Sequence, residues 1–96
     1  MSDEIKRIQE IVAYYFKIPV EKITLQDRHR KYAYPRMIAV YLARRSSKLS
    51  YNQLSLHFGN RHHTTLMHAV EQMESSVLMR GHIVELWKLI AKNPKE

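Results

Sequence analysis

The segment "FGNRHHTTLMHAV", residues 58–70, places Arg61, His62, His63, Thr64, Thr65 and His68 close together and contains no carboxylate. Side chains of these types could hold a metal, move a proton or touch a polar ligand. A helical zinc pair needs histidines four residues apart, so that both rings face one ion. Here the three are spaced by one, five and six, and the chain has no cysteine, so no metal site is expected. Nucleophilic catalysis needs a nucleophile, a base and a group that orients the base. Residues 28–70 hold no Asp or Glu to supply the last of these, and the only glycines, Gly59 and Gly81, cannot form a phosphate-cradling loop. No enzyme activity is expected, and no cofactor is called for. What remains is contact. Arginine neutralises phosphate, histidine can donate to purine N7 or O6, and threonine offers a hydroxyl and a methyl to base edges in a DNA groove. His68, beside Ala69, reads instead as a partly buried, hydrogen-bonded core residue.

The charge around this segment is segregated. Residues 28–70 carry Arg28, Arg30, Lys31, Arg36, Arg44, Arg45, Lys48 and Arg61 with no acid, while all nine Asp and Glu lie outside them, in a chain of net charge +7. An acid-free basic block favours a polyanionic partner, because neutralising phosphates releases counterions. The absence of cysteine excludes disulfides and suits a reducing interior. The opening "MSDEIKRIQE" lacks the apolar core of a signal peptide, and no run of about 18 apolar residues could span a bilayer. The chain therefore reads as soluble, cytoplasmic and nucleoid-associated, with no membrane partner.

The elements that must position these residues are legible from periodicity. Ninety-six residues, two glycines and three prolines describe one small helical domain. Ile5, Ile8, Ile11, Val12, Tyr15 and Phe16 mark a helix from about 4 to 17, capped by Ser2 or Asp3. Pro19 then forces a short turn in "KIPVEKI". Ile38, Ala39, Leu42 and Ala43 mark a helix from about 33 to 47, with Pro35 in its first turn. Ser50 and Gln53 form a capping-box pattern ahead of a helix of about eight residues, and Gly59 stands where a left-handed C-cap belongs. Leu66, Ala69, Val70, Met73 and Val77 mark a helix from about 61 to 79. Gly81 interrupts the chain, and Ile83, Leu86, Trp87 and Ile90 form a last helix before a fraying tail. A short helix, a tight turn with glycine and a longer helix make the helix-turn-helix pattern, whose second helix offers its N-terminal turns to the major groove.

These residues resemble a known family. "GNRHHTTLMHAV" is similar to the signature Gly-Gly-Arg-Asp-His-Thr-Thr-Val-Leu-His-Ala of the C-terminal DNA-binding domain of the bacterial replication initiator DnaA. "IQEIVAYYFKIPVEKI" resembles the opening helix of that domain, and "DRHRKYAYPRMIAVYLARRSS" its basic loop and following helix. The resemblance runs over about residues 5–91 of a single domain spanning 1–96. It implies an all-α helix-turn-helix domain, Trp-repressor-like in architecture, that binds double-stranded DnaA-box DNA at replication origins. By residue, it implies Arg28 in the minor groove, Arg36 and Arg44 on the backbone, and His63, Thr64 and Thr65 as major-groove readers with Arg61 at the helix start. His62 joins the base contacts, and Arg30, Lys31, Arg45, Lys48 and Tyr51 the phosphate contacts. Three departures are expected to alter the site: His62 stands for the family's aspartate, which changes the preference at that base pair, Met37 for a frequent glutamine, and Asp27 for a second loop arginine. The family's ATPase region lies N-terminal to this domain, so ATP-driven origin melting is expected to reside outside this sequence.

Two other readings compete with sequence-specific duplex binding. The chain could be an accessory module docking on a replication or transposition protein through a Trp87 face, although Trp87 is expected to be core. It could also bind nucleic acid without sequence preference or in single-stranded form, stacking bases on Tyr32, Tyr34, Tyr41 and Tyr51.

Overall fold

A computed structural model describes residues 2–24 and 30–92 of the chain, without the side chains of Ser2, Asp3 and Arg30. The side chains of the expected Ser2 or Asp3 cap, and the tail after residue 92, therefore lie outside what is described. Among the described residues, six helices follow in order: α1 (Ser2–Phe16), α2 (Glu21–Thr24), α3 (Arg30–Ser46), α4 (Tyr51–Ser55), α5 (His63–Ser75) and α6 (Val77–Lys92). The fold is all-α, and no described helix is long and apolar enough to cross a membrane.

The apolar face of α1 buries Ile5, Ile8 and Val12. The helix ends in a left-handed residue, Lys17, at φ 59°. The Lys17 amide donates to Tyr14 O and the Ile18 amide to Ala13 O, the two bonds of a Schellman cap, and Pro19 prevents the helix resuming at once. The expected short turn is then realised as the one-turn helix α2, which plugs Ile23 into the core.

At the centre lies α3, packed against every other helix. Its stripe of Ile38, Ala39, Leu42 and Ala43 is fully buried. The helix starts at Arg30, so Pro35 sits in its second turn and not in the first. Proline there leaves the Lys31 carbonyl without its helical donor. Tertiary anchoring on both sides of the proline offsets the loss. Tyr32 is buried under the ammonium groups of Lys22 and Lys31, 5.4 and 5.3 Å from its ring centroid, and Arg36 is tied to α2.

The capping box that opens α4 is complete. Ser50 N donates to Gln53 Oε1 at 2.9 Å and Gln53 N to Ser50 Oγ at 3.1 Å. Regular helix lasts only five residues, shorter than the expected eight, and overlapping turns carry the chain to Gly59 (φ 77°) and Asn60 (φ 59°). Phe58, fully buried, pins that turn to the core, and buried Gln9 of α1 donates to His57 O at 2.7 Å. The α4–turn–α5 unit is thus held by α1 as well as by its own caps.

The boundary between α5 and α6 differs from the sequence expectation. The break falls at Ser76, whose backbone is extended and whose Oγ accepts from Met79 N at 3.2 Å, so one serine ends α5 and caps α6. Val77 lies beyond this break and is 75% exposed, so it is not part of the α5 stripe. Gly81 does not interrupt the chain. It lies exposed within α6 and faces open space. Ile83 and Leu86 carry α6 into the core, and Trp87 packs half-buried against it.

Candidate nucleic-acid interface

The N-terminal turn of α5 is organised by its cap. His62 is the N-cap residue, with its ring Nδ1 accepting from the Thr64 backbone N–H at 3.2 Å and lying 2.7 Å from Thr64 Oγ1. The His62 and His63 rings stack, with centroids 4.5 Å apart and 26° between planes. His62, Thr64 and Thr65 are exposed and His63 half-exposed, because the buried face of this helix is taken by Leu66, Ala69, Val70 and Met73. Among the described residues no three His, Asp or Glu side chains are grouped to hold a metal ion. His68 is exposed, contrary to the core role expected of it, since Ala69 and Val70 take the inward positions of that turn.

Arg61, just before the cap, is half-buried in a cleft of about 110 Å³ between α3 and α5, lined also by Arg36, Met37 and Thr65. Burial lowers its pKa from the ordinary value. A guanidinium starts from so high a value that it stays charged at neutral pH.

A second basic feature lies where the end of α3, the start of α4 and the C-terminal half of α5 meet. An open groove of about 490 Å³ is lined by Arg44, Arg45, Ser47, Lys48, Tyr51, Val70 and Glu74. Arg44 donates from Nη1 to Leu49 O at 2.7 Å and lies 4.2 Å over the Tyr51 ring, so its charge is fixed in place. Arg45 reaches Glu74 at 3.6 Å, and Lys48 is exposed. Glu74 is a groove residue that the charge count over residues 28–70 could not reveal, because folding brings it in from the next turns of α5.

The remaining basic residues are distributed differently. Arg28 and the Arg30 side chain lie outside the described residues. Lys31 is exposed over Tyr32. Arg36, expected at the DNA backbone, is turned inward at 8% exposure and donates to Lys22 O at 2.7 Å and Ile23 O at 3.3 Å. Its position after the proline gave no sign of this, because its acceptors belong to α2. Of the tyrosines proposed to stack bases, Tyr32 is buried, Tyr41 and Tyr51 are half-buried against arginines, and only Tyr34 is exposed.

The chain matches the family model described as the bacterial dnaA protein helix-turn-helix over residues 5–73. It is 44% identical over 70 residues, 73% of its length, to the chromosomal replication initiator protein DnaA of Methylobacillus flagellatus, and covers 15% of that protein. It is 39% identical over 70 residues to the protein of the same name from Magnetococcus marinus, covering 73% of this chain and 16% of the relative. The chain thus spans about a sixth of the length of these relatives.

Proposed function

The chain belongs to the bacterial DnaA helix-turn-helix family, and from that premise we propose that it binds double-stranded DNA at DnaA-box-like sites in the context of replication initiation, with no ATPase activity of its own. The observation that carries the reading is the capped N-terminal turn of α5, which exposes His62, Thr64 and Thr65, with a basic groove further along the same helix at Val70 and Glu74. In this reading α5 enters the major groove and reads bases with His62, His63, Thr64 and Thr65. Lys31, Arg44, Arg45, Lys48, Tyr51 and Arg61 approach phosphates together with Arg30, and Arg28 enters the minor groove. Arg36 serves by holding α2.

Fluorescence anisotropy on a DnaA-box duplex and a scrambled duplex, at two salt concentrations, tests it. The expected result is a preference for the box that Thr65→Ala removes while binding to the scrambled duplex is unchanged. Equal and strongly salt-dependent binding to both duplexes would reduce the chain to a phosphate binder. A docking role centred on Trp87 is disfavoured by the packing of that side chain against the core.

A further inference from the structure

The cap of α5 fixes more than the helix start. A backbone N–H can only donate, so the 3.2 Å contact from Thr64 N requires a lone pair on His62 Nδ1. The ring is then neutral and carries its proton on Nε2. The 2.7 Å contact between Nδ1 and Thr64 Oγ1 must accordingly be an O–H donation from threonine to the ring. Thr64 has therefore spent its hydroxyl proton inward and presents only oxygen lone pairs and a methyl outward. Stacking on His63 holds the plane of the His62 ring, and both His62 and Thr64 are exposed.

We infer that His62 and Thr64 form a fixed donor–acceptor pair that sets this chain's sequence preference: His62 Nε2–H reads a base acceptor edge, guanine O6 or N7, and Thr64 Oγ1 reads an exocyclic amino group, adenine N6 or cytosine N4. The assignment rests on the duplex-binding reading above and names the specificity of the same site. It follows because a neutral imidazole capped in this way has no acceptor left to show, so an amino group opposite His62 would meet a second donor. Juxtaposed donors are the repulsive element that specificity needs alongside the attractive one. The pair is also preorganised, since the interactions that define its polarity are the ones that start the helix.

Two measurements test it with the whole chain. In the first, selection from a randomised duplex library is run on the wild type and on His62→Asp, which keeps an N-cap acceptor but exposes a carboxylate oxygen. The expected result is that one position selected as guanine by the wild type switches to cytosine in the variant, by tenfold or more, with the other positions unchanged. An identical selected sequence for both proteins would overturn the role of His62 while leaving duplex recognition intact. Selection of no sequence by the wild type would overturn the underlying reading, and this one with it. In the second, ¹⁵N shifts of the imidazole nitrogens at neutral pH are expected to show His62 protonated at Nε2 alone. Protonation at Nδ1 would overturn the assigned polarity whatever the selection gives.

Discussion

Glu74 shows how a single residue limits the basic groove. Its carboxylate sits 3.6 Å from Arg45 with both side chains about half exposed, so the pair contributes little to stability. Toward a phosphate, however, it cancels one cation of the groove and adds a repulsion. Glu74→Gln is therefore expected to tighten binding to any duplex by roughly threefold to fivefold at about 0.1 M salt, an effect that fades as salt screens it. Anisotropy titrations at low and high salt read both parts. Arg36 makes the opposite case, a cation that belongs to the fold. Arg36→Met keeps the aliphatic stem but removes the donors to two α2 carbonyls, and should cost about 1–3 kcal/mol in urea denaturation. The salt slope of DNA binding should stay as it was, whereas a phosphate contact would lower that slope by about 1.

At the scale of elements, two positions invert the usual use of glycine. Lys17 takes the left-handed C-cap of α1, and Gly81 lies in regular helix facing open space. Lys17→Gly should relieve a steric cost of about 1 kcal/mol. Gly81→Ala should gain about 1 kcal/mol, because alanine loses less backbone freedom in a helix. Each is expected to raise Tm by about 4–8 °C in a domain of this size, and thermal melts of both variants check it. The capping box at Ser50 and Gln53 and the turn at Gly59 were readable because local hydrogen bonds and a local backbone demand decide them. The Ser76 break was not, since Met73 and Val77 are four residues apart and satisfy helical periodicity, so only the absence of core opposite Val77 reveals the end of α5. Pro35 in the second turn of α3 and the inward Arg36 were hidden for a related reason, because their compensating partners come from α2. The exposed Thr64–Thr65 pair was found from residue type and spacing, while the capping role of His62 depends on a ring orientation that no spacing conveys.

For the whole molecule, the important property is where folding puts the charge. From residue 30 the acid-free block becomes α3, α4 and the first half of α5, with a groove where these helices meet that Glu74 also lines, while Lys88 lies on α6, which packs on α1 and α3 and pairs that lysine with Glu85 at 3.5 Å. Net charge alone would make every lysine contribute to binding. A segregated field makes only those within about a Debye length, roughly 8 Å at physiological salt, of a phosphate count. Lys48→Gln and Lys88→Gln each remove one positive charge from the chain, so they separate the two cases at equal net charge. The expected outcome is that Lys48→Gln reduces the slope of log K against log salt by about 0.9, the release of one condensed counterion, and weakens binding to box and scrambled duplex alike. Lys88→Gln should leave both slope and affinity within error. Equal losses from the two variants would mean that DNA senses the total charge of the protein and that the groove formed by Arg44, Arg45 and Lys48 is not where the phosphates lie.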